Sequence, residues 1–166
     1  MSRLFIAVPV TLYDYSDIQL QFDPLLAGRW RDEATLHCTL AFLGDCFTSQ
    51  EVIRRMNEIA LEFVSSDLLG WEYFSGSRVF VLTTVNPSLQ TLRNQLQTAL
   101  ELPCETLVPH VTLMRVKHLN DLDLFQKKIQ SPPLSSLGRL QPKIVLYQST
   151  VLPQGAYYET VQEWLV

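Results

Sequence analysis

The chain has 166 residues, 47% of them hydrophobic and 10% aromatic, which is enough to bury a core and too apolar for a disordered segment. Thirteen Lys and Arg against seventeen Asp and Glu leave a formal charge of −4, which excludes the broad basic face that non-specific coating of nucleic acid requires. No apolar run approaches the ~18 residues of a membrane helix. Residues 4–8 are apolar but stop at Pro9 without a small-residue cleavage site, so no signal peptide is expected. Cys38, Cys46 and Cys104 are odd in number and lack CxxC spacing, as befits reduced thiols in a cytoplasm. The expectation is a soluble, monomeric, cytoplasmic domain.

In chain order, residues 3–8 predict a buried strand and residues 12–26 a weakly marked helix ended by Pro24. Residues 37–43 are rich in strand formers and close at Gly44. Thr48, with Glu51 three residues on, predicts a capping box, and Val52, Met56, Ile59 and Phe63 carry one apolar face to about Ser65. Residues 71–74 and 78–85 predict a hairpin turning at Ser75-Gly76-Ser77. Asn86-Pro87 opens a helix with Leu89, Leu92, Leu96 and Leu100 on one face. Next come a strand over 110–116, a shorter helix over 120–129 and a loop at Ser131-Pro132-Pro133. Residues 143–152 and 157–165 form a final pair of strands around Gln154-Gly155.

This order repeats. Arg3-Leu4-Phe5-Ile6 matches Arg78-Val79-Phe80-Val81 at an offset of 75, and His37-Cys38-Thr39-Leu40 matches His110-Val111-Thr112-Leu113 at an offset of 73. Two copies are too few for a solenoid. A duplicated β-α-β-α-β unit with a pseudo-twofold axis fits, with repeats at roughly 3–75 and 78–152 and closing strands to 165. Such an axis brings both His-x-Thr segments to one cleft.

On a strand, residues i and i+2 share a face. His37 and Thr39 therefore point one way and Cys38 and Leu40 the other, and the second segment does the same. Two imidazoles and two hydroxyls suit a phosphoryl group under attack. Imidazole titrates near pH 6.5, so one ring can serve as neutral base and the other as cationic acid. The hydroxyls donate to non-bridging oxygens and hold phosphorus between the rings. No metal is required for such proton transfer. A zinc site takes three or four ligands, and Cys38 lies on the wrong face to join His37. A lone histidine on a strand is commonly structural; two in matching tetrapeptides point to shared catalysis.

The chain resembles the two-histidine phosphoesterases, specifically the LigT-like RNA 2′,3′-cyclic phosphodiesterases, also called 2′–5′ RNA ligases. The resemblance rests on Arg3-Leu4-Phe5-Ile6-Ala7, on residues 36–44 around the first motif, on Ser77-Arg78-Val79 and on residues 109–115 around the second. Leu146-Tyr147-Gln148-Ser149, Tyr158 and Trp164 resemble the family's closing strands. It implies a bilobal α+β fold over residues 1–166, with two mainly antiparallel sheets flanking a central cleft and helices outside. It also implies His37 as proton donor and His110 as proton acceptor, opening RNA 2′,3′-cyclic phosphate ends to 2′-phosphates without metal or cofactor, with a reverse 2′–5′ ligation. The partner is then an RNA or oligonucleotide end.

Arg115 is a candidate phosphate clamp, although strict alternation turns it away from His110. Arg78 reads as structural and His118 as a surface residue. Trp30, Phe42 and Tyr147 are candidates for base stacking or for packing. Alternative readings are a phosphodiesterase for 2′–5′ oligoadenylate or an ADP-ribose cyclic phosphate, and a non-catalytic module that holds phosphorylated RNA ends.

Overall fold

Three of the four helices among the described residues begin on a side-chain cap that the sequence supplies. Asp14 accepts from the Asp17 N–H, Thr48 from that of Glu51 and Asp121 from that of Leu124. The fourth starts on Pro87, whose missing N–H is one a helix start does not need. The computed structural model describes residues 2–166. Its elements are β1 (Ser2–Leu12), α1 (Tyr15–Phe22), β2 (Leu26–Trp30), a 3₁₀ turn (Glu33–Thr35), β3 (His37–Gly44), α2 (Ser49–Met56), β4 (Asp67–Leu68), β5 (Gly70–Phe74), β6 (Val79–Thr83), α3 (Pro87–Leu100), β7 (His110–Leu119), α4 (Leu122–Gln130), β8 (Gly138–Leu140), β9 (Lys143–Leu152) and β10 (Gly155–Leu165). Among them no helix is long and apolar enough to cross a membrane.

Two local expectations are corrected. The helix read from Thr48 to Ser65 ends at Met56. Ile59, Leu61 and Phe63 still pack against the core, but from an irregular chain. Its backbone groups are claimed by other elements: Ser88 Oγ accepts from the Val64 N–H, the Asn86 amide donates to the Val64 carbonyl, and the Leu140 N–H donates to the Ser66 carbonyl. Conversely, the first strand runs through Pro9. That residue lies between Ala7, the last paired with β9, and Val10, the first paired with β8, so its missing N–H interrupts neither ladder.

The main sheet has the order β10-β9-β1-β3-β7-β6-β5, antiparallel throughout, with β2 alongside β7 and β4 and β8 forming a small side ladder. The order is symmetric about β3 and β7, since β1 flanks one as β6 flanks the other. This is the duplicated α+β architecture with its pseudo-twofold axis. The two half-sheets meet through a single pair, Cys38 with Val111. Beyond it, β2 takes over the edge of β7 from Met114 to Leu119, so the halves diverge. Leu89, Leu92, Leu96 and Leu100 of α3 are all buried, as their spacing predicts.

Register revises the internal match by one residue. Opposite β3 and β7, Phe5 faces Phe42 and Val79 faces Arg115, so Phe5 corresponds to Val79 rather than to Phe80. A one-residue slip exchanges the faces of a strand. Phe80 accordingly sits in the core, 4.3 Å from the Phe22 ring, while the Phe5 ring stands against His37.

A second revision is shared by both halves. The β1–β3 ladder steps from Ile6 opposite Ala41 to Ala7 opposite Thr39, bypassing Leu40. The β6–β7 ladder steps from Phe80 opposite Met114 to Val81 opposite Thr112, bypassing Leu113. These are β-bulges at matching positions. Each leaves two consecutive residues buried, Leu40-Ala41 and Leu113-Met114, and reverses the parity of the residues beyond it.

Candidate active site

His37 and His110 are the first residues of β3 and β7. Cys38 and Val111, fully buried, face the core, and the His and Thr on either side of each are half-buried on the opposite face. Antiparallel register at the Cys38–Val111 pair sets His37 beside Thr112 and His110 beside Thr39. The two histidines are then diagonal neighbours across the seam. Such pairs stand about 7–8 Å apart along the strands, and both rings line one cavity.

The same hydrogen bond orients both rings. His37 Nδ1 donates to the Thr35 carbonyl at 2.8 Å, and His110 Nδ1 donates to the Val108 carbonyl at 2.8 Å. A carbonyl only accepts, so each Nδ1 carries a proton and Nε2 is the nitrogen left for chemistry. Neither Nε2 has a hydrogen-bond partner among the described residues. The supporting segments are themselves tied down. Thr35 lies in the 3₁₀ turn capped by Asp32. Val108 ends a loop held to α3 by Gln90, which accepts from the Leu107 N–H, and by buried Arg93, which donates to the Pro103 carbonyl.

Both histidines and both threonines line one cavity of about 420 Å³. The wall beside His37 is aromatic. Phe5 stands 5.0 Å from the His37 ring centroid and Tyr158 meets it edge-on at 5.6 Å. Tyr147 stacks on Phe5 behind them. His110 meets Phe74 edge-on at 5.0 Å. Burial holds the His37 imidazole below its usual proton affinity; its hydrogen bond to the Thr35 carbonyl opposes this, and the charges of Arg31 and His110 add to it.

Arg31 was not legible as a site residue. It comes directly after β2, reaches the cavity beside His37, and donates to the Tyr158 hydroxyl at 3.4 Å. No carboxylate is paired with it among the described residues. Arg3 lines the same cavity from the start of β1. Arg31 belongs to no recognisable motif, and the Arg3-Leu4-Phe5-Ile6 match carries no sign that Arg3 is a site residue; tertiary packing alone brings both to the cavity.

Arg115 stands otherwise than alternation predicts. The bulge at Leu113 returns it to the face of His110 and Thr112, as the bulge at Leu40 returns Phe42 to the face of His37. Phe42 is 77% exposed and lines the cavity, whereas Arg115 is exposed on the same face outside the cavity lining. Trp30 is anchored by a 2.7 Å bond to Asp23 and packs on Tyr15 and Phe80, so its role is packing. Arg78, at φ 57°, closes the β5–β6 turn and bonds the Lys117 carbonyl, and His118 is exposed. Among the described residues, no three His, Cys, Asp or Glu side chains converge as metal ligands.

The fold, apart from any reading of the site, is similar to that of solved phosphoesterases, Escherichia coli LigT among them. Escherichia coli LigT complexed with 3′-AMP superposes with a TM-score of 0.79 at 21% identity, covering 99% of this chain and 98% of that one. A second phosphoesterase crystal structure gives 0.77 at 21%, covering 100% and 99%. In sequence, the chain is 28% identical over 148 residues to the RNA 2′,3′-cyclic phosphodiesterase of Thermotoga maritima, spanning 81% of this chain and 77% of that protein. It is 36% identical over 58 residues to the RNA 2′,3′-cyclic phosphodiesterase of Methanocaldococcus jannaschii, a match spanning 34% of each. No family model matches the chain.

Proposed function

We propose that this protein is a metal-independent phosphodiesterase that opens 2′,3′-cyclic phosphate ends of RNA or short oligonucleotides to 2′-phosphates. The observation that carries the reading is the pair of imidazoles, diagonal across one seam, each with Nδ1 tied to a carbonyl and Nε2 left toward a shared cavity. His110 Nε2 takes a proton from water as its oxygen attacks phosphorus. The bond from phosphorus to O3′ breaks, and O3′ takes the proton of His37 Nε2, leaving a 2′-phosphate and a 3′-hydroxyl. Solvent exchange then restores the two protonation states.

Thr39 and Thr112 donate to the non-bridging oxygens, and Arg31 supplies the positive charge beside them. Arg115, on the same face, is a second cation for the approaching strand. Burial makes His37 a reluctant proton carrier in the free site, and the negative charge of a bound phosphodiester reverses that penalty. With the 5′-hydroxyl of a second RNA end in place of water, the same attack forms a 2′–5′ phosphodiester. The relatives named RNA 2′,3′-cyclic phosphodiesterase support the substrate class, and an acidic monomer acting on free ends in the cytoplasm agrees with the charge of −4.

The deciding experiment incubates the protein with 2′,3′-cyclic AMP and with an oligonucleotide ending in a cyclic phosphate, beside a His110→Ala control. Phosphorus NMR should show a 2′-phosphate product from the wild type alone. Absence of product from both substrates, or equal product from the control, overturns the reading.

A further inference from the structure

The cavity extends well past the two histidines. Along β1, Pro9 lies opposite His37, Ala7 opposite Thr39 and Phe5 opposite Phe42. Arg3 comes two residues earlier on the same face as Phe5, at about 6–7 Å per two-residue step. One wall of the cavity thus reads, from end to end, as imidazole, hydroxyl, aromatic pair and guanidinium. The Arg3 side chain is exposed, lines the cavity, and has no carboxylate or hydrogen-bond partner among the described residues. Ser149, opposite Arg3 on β9, lines the same end. The second lobe differs: structural equivalence puts Val79, not an aromatic, where Phe5 stands, and Arg115 where Phe42 stands.

We infer that Arg3 and Ser149 form a subsite for the phosphate on the 5′ side of the terminal nucleoside, so that the preferred substrate is an oligonucleotide end rather than a cyclic mononucleotide. The inference rests on the reading that the histidines hold the terminal cyclic phosphate. With that phosphate at the histidines, the nucleoside lies along the exposed Phe42 ring, whose face accepts any base, with buried Phe5 behind it. The chain then leaves past Arg3, which meets the next phosphate with a planar, permanently charged donor set and a hydroxyl beside it. A 5′-phosphate monoester on a mononucleotide carries the same chemistry, and a dinucleotide places a diester there.

The test compares kcat/KM for 2′,3′-cyclic AMP, for the same compound with a 5′-phosphate, and for di- and trinucleotides ending in a cyclic phosphate. The dinucleotide should exceed 2′,3′-cyclic AMP about ten-fold, with no further gain for the trinucleotide. In Arg3→Met that ratio should fall about ten-fold. The salt dependence should agree: kcat/KM for the dinucleotide should fall more steeply with added salt than that for 2′,3′-cyclic AMP, and Arg3→Met should erase the excess. A 5′-phosphate that matches the dinucleotide shows that charge alone is read; a weaker one shows preference for the diester. A ratio near one in the wild type, or one unmoved in Arg3→Met, overturns the subsite. If no substrate is turned over, the catalytic reading fails separately. The subsite is then judged by calorimetry with 3′-AMP and with ApAp, where Arg3→Met should weaken ApAp selectively and equal weakening of both overturns it.

Discussion

Cys38 and Val111 are the one residue pair through which β3 meets β7, and every distance between the two histidines is inherited from it. Both side chains are fully buried, so the seam is held by core packing while the neighbouring imidazoles remain open to the cavity.

Replacing His37 or His110 by alanine should each lower turnover by roughly 10²–10⁴, the usual contribution of a positioned proton donor or acceptor. Steady-state hydrolysis of 2′,3′-cyclic AMP with matched circular dichroism measures this. Near-wild-type rates in either variant would remove that histidine from the mechanism.

The burial of His37 sets the pH dependence. In the proposed reaction His37 is the acid and must be protonated; burial lowers its proton affinity in the free protein, so the alkaline limb of kcat/KM should lie at low pH. A bound phosphodiester raises His37 again, so the alkaline limb of kcat should lie at higher pH than that of kcat/KM. Coincident limbs would argue against His37 as the proton donor.

Arg31→Met should raise the His37 titration midpoint measured by NMR, because the cation is one of the influences that lower it. It should also reduce kcat/KM by about ten-fold or more, in line with loss of a charged transition-state donor. An unmoved His37 midpoint would place the guanidinium away from the ring.

Thr39→Val and Thr112→Val keep the volume and strand propensity of each site while deleting a donor. Each should lower kcat by about 10² with little change in unfolding midpoint. Full activity would assign the hydroxyls to packing.

Phe80→Ala should lower the free energy of unfolding by about 3–5 kcal/mol, since Phe80 is fully buried between Phe22 and Trp30. Urea denaturation measures it. A loss below about 1 kcal/mol would contradict the register that sets Phe80 in the core and Phe5 in the cavity.

Local chemistry made much of this protein readable. Period-two alternation around His37 and His110 told which side chains share a face, caps and prolines marked where helices begin, and two copies of one tetrapeptide implied a duplicated fold with a shared cleft. These signals act within a few residues, so spacing carries them. Folding alone decided the rest. Two bulges, invisible to alternation, turned Phe42 and Arg115 onto the histidine face. A one-residue difference in register put Phe5 against His37 and its sequence match Phe80 in the core. Arg3 and Arg31 reached the cavity because strands far apart in the chain pair there, and no short window of sequence records which strands will become neighbours.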